Sequence, residues 1–451
     1  MSALLRDGRD AWRHAPTQRR VWALAGPMIL SNLSVPLVAL VDSAVIGHLP
    51  HAHQLGAVAV GGSLYSLLVW TFGFLRMGAT GFAAQAGGRG DGGALRALLA
   101  QGLLLAVLIA LLCSLLAMPL LPALLGLMQP GAELDALARD YLQIRLLGLP
   151  AALASYALIG WLLGAQNARA PLAMLLTANL LNVALDLWLV LGLGWGVAGA
   201  AWASVCAEWS GALLGLWLAL RRLAEHPGRA AWPALRRWGA WRGLLTVNRD
   251  IFLRTLALQA VFFVITVQGA RLGDATVAAN ALLLNGLLLA AHALDGLAHA
   301  VEALCGHAIG ARDRLALRRA LWVSAGWSLL ASLGFAAFFL LGGRVFIDLQ
   351  TDIAEVRAIA YRHLPFLALL PPVAVWSYLL DGLFIGATRA REMRDAMLLA
   401  LLLCLPLAAA LHDRHNTALW FTFLCFMLVR SVTLGAFFWR LNRQDAWFPR
   451  H

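Results

Sequence analysis

The sequence contains no lysine: all 35 of its basic residues are arginine. Charge of either sign is scarce, with Asp, Glu, Lys and Arg together only 13% of the chain, against 61% hydrophobic residues. A soluble fold of that composition would carry a largely apolar surface, so a globular cytoplasmic protein is excluded. The five cysteines, Cys113, Cys206, Cys305, Cys404 and Cys425, form no CxxC pair and lie mostly in apolar segments, where free cysteine serves as a small hydrophobe. Neither HExxH nor GxSxG occurs, which argues against an intramembrane protease or acyltransferase. No polar interval has room for a large soluble domain, and no pore-loop segment separates the apolar runs, which disfavours a passive channel.

What the chain has is long apolar runs. Mean hydropathy is +0.75, and stretches of the roughly 20 residues needed to cross a bilayer recur from Val21 onward. Apolar runs between breakers predict twelve helices, near 20–47, 55–86, 95–126, 135–163, 170–192, 196–220, 249–270, 275–305, 316–342, 355–386, 394–411 and 416–439. The first run, Val21 to Gly47, is too long for a signal-peptide core and reads as a retained helix. The formal net charge of +12 comes from arginines in the intervals between runs. That is the pattern of the positive-inside rule rather than of a nucleic-acid surface. One set of alternate intervals holds Arg6, Arg13, Arg20, Arg89, Arg169, Arg222, Arg312, Arg389 and Arg443; the other holds little beyond Arg271, Arg344 and Arg414. Both termini are therefore expected in the cytoplasm.

The longest polar interval, 223–248, carries Trp232, Trp238 and Trp241 among its arginines and reads as an amphipathic linker on the cytoplasmic leaflet. It divides the chain into 1–222 and 249–451, each with six expected helices. The halves repeat at an offset of 222 residues: QAGGRGDGGALRALL (85–99) aligns with HAIGARDRLALRRAL (307–321), and GWLLGAQNARA (160–170) with GLFIGATRARE (382–392). Arginine-bearing intervals match arginine-bearing intervals, so the repeats share one orientation. Their axis runs along the membrane normal, with a substrate site expected between them.

Ionisable groups inside such runs are costly and need a reason. Asp42 lies in a helix that also carries Pro27 and Pro36, each lacking a backbone donor and able to kink the helix. A carboxylate beside a kink suits a protonation switch, and equally a hydrogen bond to neighbouring helices. Asn179, Asn182 and Asp186 fall at i, i+3 and i+7, on one helix face. They could ligate sodium, share a proton with Asp42, or join helices by hydrogen bonds. Ser204 and Glu208 share a face of the next helix. In the second half, His292, Asp295, His299 and Glu302 run at spacings of three and four; a water-lined cavity face fits them better than a metal site. Asp381 precedes Gly382 and could hydrogen-bond across a close helix contact.

GPMILSNLSVPLVALVDSAVIGHL (26–49) resembles the first helix of the MATE (multidrug and toxic compound extrusion) transporters. DGLAHAVEALCGHAIGA (295–311) and LDGLFIGATRAREMRDAM (380–397) resemble its DinF-type branch. The resemblance implies an all-α membrane protein of twelve transmembrane helices, in two six-helix bundles related by a pseudo-two-fold axis and forming a V. It implies an alternating-access antiporter of the bacterial inner membrane, exporting organic cations and amphipathic compounds in exchange for protons or sodium, with no other cofactor. One chain holding both bundles suffices as a monomer. Asp42, Asn182, Asp186 and Ser204 match the family's ion-coupling set; Ser204 stands where a threonine is usual and keeps the hydroxyl. Glu208 departs from the expected glutamine or apolar residue and adds a titratable group. Asn179, Glu208, Asp295, His299, Glu302 and Asp381 are the remaining candidates for the substrate cavity. A lipid-linked precursor flippase of the same superfamily is the nearest rival and would need a cationic cavity; acidic charge in the first half favours cationic cargo.

Overall fold

The computed structural model describes residues 8, 10–47, 51–128, 131–229, 238–411 and 415–448, without the side chains of 35–44, 124, 127–128 and 409–411. Every regular element among the described residues is a helix. Its helices are α1 (Ala15–Gly47), α2 (Ala52–Thr71), α3 (Phe74–Gly88), α4 (Gly92–Met128), α5 (Ala132–Leu146), α6 (Leu149–Gly164), α7 (Arg169–Asp186) and α8 (Gly196–Ala224). They continue as α9 (Trp238–Arg271), α10 (Asp274–Gly310), α11 (Arg314–Asp348), α12 (Ala354–Gly386), α13 (Ala390–Leu411) and α14 (Asn416–Arg443). Among the described residues nine of these segments are long and apolar enough to cross a bilayer, counting Ala52–Gly88 as one. The pair α5 and α6, bent by 47°, makes a tenth. The 33-residue α1 and 22-residue α13 complete twelve. An all-helical solution is what lipid demands, because each helix satisfies its own backbone groups.

The chain forms two compact units: Leu30–Leu245, called the first bundle, and Met1–Ile29 with Thr246–His451, called the second. The sequence halves differ from these units at the amino terminus, where residues 1–29 group with the second half. Trp12 lies 5.4 Å and Trp22 5.0 Å from Trp327, ring centroid to centroid. Trp327 Nε1 donates to Gln18 Oε1 at 2.6 Å, and a Cβ on Gly296 would meet the Ile29 backbone nitrogen at 2.8 Å. The chain passes between units two residues after Pro27.

Part of the expected linker is helical. Trp238–Asn248 belongs to α9, which runs 34 residues to Arg271; no proline interrupts it, so the helix continues through its arginines. Trp232, Arg236 and Arg237 lie outside the described residues.

The 222-residue repeat extends through both bundles. Ala52–Gly88 and Asp274–Gly310 are each 37 residues long and start 222 positions apart, as do α4 and α11, and α5 and α12. At the α3 end, Asp91 Oδ1 accepts from the Ala94 amide at 2.9 Å; at the equivalent α10 end, Asp313 Oδ1 accepts from Ala316 at 2.9 Å. Left-handed residues recur in register, Gly90 (φ 69°) with Arg312 (φ 57°) and Gln166 (φ 62°) with Thr388 (φ 56°). Packing repeats too. A Cβ on Gly160 would meet Arg76 O at 2.1 Å and one on Gly164 would meet Thr80 O at 2.6 Å; the counterparts Gly382 and Gly386 face Ala298 O and Glu302 O at 2.6 and 2.5 Å. Glycine at i and i+4 lets α6 lie on α3, and α12 on α10, backbone against backbone.

The bundles differ in continuity. The first bundle breaks its helices at Phe72–Gly73, at Leu147–Gly148 just before Pro150, and after Asp186, where residues Leu187–Gly192 form a π-helix. The second bundle runs α10 and α12 unbroken, α12 despite Pro365, Pro371 and Pro372.

Candidate functional site

The polar residues of the first bundle gather on α7 and α8, with α1, α2 and α5 contributing. Asn182 (7% exposed) and Asp186 (2%) are buried on α7. The Asn182 amide donates to Ser204 Oγ on α8 at 3.5 Å. One turn earlier, the Asn179 amide donates to Ser34 Oγ on α1 at 3.0 Å, and Ser34 donates to Ser31 O at 2.7 Å. The predicted face of α7 is thus divided, with Asn179 turned to α1 and Asn182 to α8. Asp186 is the last α-helical residue before the π-helix. Inserted turns of that kind lower the cost of local rearrangement and are frequent at functional sites. The side chains of Asp42 and Pro36 lie outside the described residues; their backbone belongs to α1, which remains helical through both prolines.

Glu208 is not an open pocket group. Arg145 on α5 donates to its Oε1 at 2.9 Å, and the Tyr65 hydroxyl on α2 donates to both carboxylate oxygens at 3.0 and 3.2 Å. The guanidinium carbon of Arg145 also stands 3.9 Å above the Tyr65 ring, a cation–π contact that partly replaces lost hydration. Gly148, at the α5–α6 bend, makes room: a Cβ there would fall 2.1 Å from Glu208 Oε2. The first half is therefore not purely acidic. Arg145, in the run YLQIRLLGLP, is 8% exposed.

The second bundle holds a different ionic cluster. Asp381 on α12, 8% exposed, accepts on Oδ2 from Arg254 of α9 at 3.0 Å and from Arg430 of α14. Arg254 and Arg430 are 6% and 2% exposed. The predicted hydrogen bond of Asp381 across a helix contact is thus a double ion pair, and both guanidiniums occupy the carboxylate that was expected to face a cavity. His299 and Glu302 are buried on α10 and Asp295 half-buried on the same helix. His292, half-buried, engages the carbonyl of Leu288 at 2.8 Å. The described residues bring no three His, Cys, Asp or Glu side chains together as a metal set.

Arg145, Arg254, Arg430 and Tyr65 escaped the sequence reading. Their signal was present, because an arginine inside DIFLRTLALQ or FMLVRSVTLG is as exceptional in a bilayer as an acid.

Comparison with known proteins agrees with the internal duplication. The MatE family model matches the chain twice, over residues 27–188 and 251–411. The DNA damage-inducible protein F of Escherichia coli (strain K12) is 44% identical over 439 residues, covering 96% of this chain and 94% of that protein. A probable multidrug resistance protein NorM of Deinococcus radiodurans is 31% identical over 392 residues, covering 84% and 83%. Among solved structures, a point mutant of the Vibrio cholerae MATE transporter VcmN superposes with a TM-score of 0.88 at 20% identity, covering 96% of this chain and 99% of that one. An outward-facing multidrug resistance MATE family transporter of the MOP superfamily gives a TM-score of 0.84 at 18% identity, covering 96% and 97%. With two family matches spanning both repeats and a relative of this identity along nearly the whole chain, the protein belongs to the MatE family of membrane transporters.

Proposed function

We propose that the chain is a multidrug efflux antiporter of the bacterial inner membrane, passing organic cations and amphipathic compounds outward in exchange for protons, with sodium the alternative coupling ion. The family membership and the names of the relatives, multidrug resistance proteins among them, support export. The arrangement that carries the coupling proposal is the buried pair Asn182 and Asp186, bonded to α8 through Ser204 and ending where α7 turns into a π-helix. A carboxylate at a helix irregularity can change the local winding when it gains or loses a charge, and the bond to Ser204 couples that change to α8.

In the proposed cycle the first-bundle set Asp42, Asn182, Asp186 and Ser204 binds the ion from outside. Neutralising it disfavours the drug-bound arrangement, and drug leaves. Ion and drug compete because each prefers a different state of one bundle. The protein works as a monomer in lipid, both termini cytoplasmic, without nucleic-acid partners. The acids Asp295 and Glu302, with His299 and Asn179, remain proposed contributors to the substrate cavity. Glu208 and Asp381 are better assigned to holding helices together, since each is already met by arginine. The flippase reading needs guanidiniums available to a pyrophosphate; those of Arg254 and Arg430 are directed to Asp381.

The test is drug efflux from vesicles with a proton or a sodium gradient imposed singly, comparing wild type with Asp42→Asn and Asp186→Asn. Both variants are expected to lose gradient-driven efflux by at least about tenfold, the scale of losing about 1.4 kcal/mol of ion binding. Wild-type efflux in either variant would sink the assignment of that residue.

A further inference from the structure

The repeat assigns every first-bundle residue a counterpart 222 positions on, and the counterparts of the coupling set share a property. Asp42, Asn182, Asp186 and Ser204 correspond to Val264, Cys404, Ala408 and Phe426. All four counterparts line one cavity of about 340 Å³ within the second bundle, between α9, α13 and α14. Where one bundle places carboxylate, amide and hydroxyl groups, the other places a cavity with apolar walls.

Its chemistry narrows what it can hold. Among the described residues no charged side chain lines it, so a bare cation or anion would lose its hydration without compensation from them. Phe423 and Phe426, 3% and 2% exposed, provide fixed aromatic walls, against which a planar ring packs better than a flexible chain. The Thr422 hydroxyl, also in the lining, is used internally, donating to Ala418 O at 2.8 Å. Gln268 is half-buried on the wall, and its amide makes no hydrogen bond to a described residue. An acyl chain offers that amide no hydrogen-bonding group. A ring system bearing one hydrogen-bonding substituent would meet both the walls and the amide. The volume falls within the range of small-molecule sites.

We propose that this cavity seats the uncharged aromatic body of an exported amphipath, so that the two repeats divide ion coupling and ligand binding between equivalent positions. The proposal rests on the export reading above and adds a subsite to it. A single chain then accommodates cations and neutral compounds because the apolar seat recognises the ring system and leaves charge to other parts of the protein.

The test uses the full chain with Cys113, Cys206, Cys305 and Cys425 replaced by alanine, leaving Cys404 in the cavity wall as the one thiol. The rate at which N-ethylmaleimide alkylates Cys404 is measured in lipid nanodiscs with and without N-phenyl-1-naphthylamine, an uncharged amphipathic fluorophore. Saturating probe is expected to slow alkylation at least about fivefold, and half-protection gives its affinity. Ala408→Trp, which fills the cavity, and Ala408→Asp, which installs the carboxylate of the first-bundle counterpart, are each expected to weaken that affinity about tenfold or more. Two variants with opposite chemistry guard against a folding failure in one of them. Unprotected Cys404 at saturating probe, or an affinity in both variants as high as with Ala408 in place, would overturn the proposal. So would alkylation that is blocked in nanodiscs before any probe is added and released by removing lipid, since the occupant would then be an acyl chain. Gradient-driven efflux by the wild type, measured in parallel vesicles, reports on the export reading separately: its absence would remove that reading while leaving Cys404 protection to be judged by itself.

Discussion

The two bundles share a backbone plan to within a residue or two and differ in nearly every buried polar group. Helix starts, aspartate caps, left-handed turn residues and glycine contacts recur 222 positions apart. The ionic clusters do not. Glu208 on α8 corresponds to Arg430 on α14, and both sit in buried ion pairs of opposite polarity. The first bundle closes Glu208 with one arginine and a tyrosine; the second closes Asp381 with two arginines and, separately, Asp250 with Arg394. What this teaches is that duplication preserved the elements that let helices touch, while the polar interior diverged. Close packing tolerates few residue types, because a Cβ at Gly164 or Gly386 would overlap backbone. An ion pair can be rebuilt from other helices, provided each buried charge ends with a partner. The broken helices belong to the bundle that keeps Asn182 and Asp186, and the unbroken ones to the bundle whose counterparts Cys404 and Ala408 carry no carboxylate or amide.

The sharpest way to break this comparison is to remove the carboxylate from each cluster. Asp381→Ala removes the carboxylate shared by two buried guanidiniums, Arg254 and Arg430, and is expected to destabilise the protein by about 3–5 kcal/mol, the scale for breaking a buried ion pair from one side. Glu208→Ala strands only Arg145, which keeps its stacking on Tyr65, so its cost should be smaller. Thermal unfolding followed by intrinsic fluorescence of the 18 tryptophans checks the order. A Glu208→Ala midpoint lower than that of Asp381→Ala would show that counting guanidiniums is the wrong comparison.

Glycine substitutions come next. Gly164→Ala places a methyl group 2.6 Å from Thr80 O, and Gly386→Ala places one 2.5 Å from Glu302 O. Both contacts are to backbone that cannot swing aside, so each variant should lose about 1–3 kcal/mol, the scale of overpacking. Because the geometry is repeated, the two losses should agree. Unequal losses in the same unfolding measurement would mean that one bundle relaxes where the other does not, and the interrupted helices make the first bundle the one to yield.

The fold was legible because hydropathy runs, arginine placement and the repeat are properties of long segments, and each survives local irregularity. Helix breaks were less legible: Phe72–Gly73 and the π-turn after Asp186 interrupt apolar runs without altering their composition. Asn182 and Ser204 were grouped through the family resemblance, and their side chains lie 3.5 Å apart. Glu208 and Asp381 were recognised as buried acids but given no partner, because a partner on a distant helix leaves no local spacing to read. The arginines that hold them could have been found by applying to basic residues the scrutiny given to acids. The apolar cavity had no sequence signal by itself. It becomes visible when Val264, Cys404, Ala408 and Phe426 are set beside their polar counterparts.

The smallest effect concerns the helix caps, and it tests the repeat at its most local. Asp91 precedes α4 and Asp313 precedes α11; each carboxylate accepts one amide hydrogen bond, from Ala94 and Ala316, both at 2.9 Å. Both turns are exposed, so neither aspartate buries a charge on folding. Replacing a capping aspartate by alanine costs about 0.5–2 kcal/mol in soluble helices, and Asp91→Ala and Asp313→Ala should each fall toward the lower end, since water can satisfy the released amide. Asn at either position keeps an oxygen acceptor and should recover most of the loss, which separates the hydrogen bond from the interaction of charge with the helix end. The same pair of substitutions also bears on how much of the repeat is energetic rather than merely inherited. Gly92, the residue after the first cap, packs against the backbone of Pro227, and Arg96 of the same helix donates to the carbonyls of Leu223 and His226. The first cap is therefore braced by the segment that follows α8, and loss of its hydrogen bond should be felt less. A larger midpoint shift for Asp313→Ala than for Asp91→Ala is the expected outcome; a larger shift for Asp91→Ala would mean that the capping bond itself holds that segment in place.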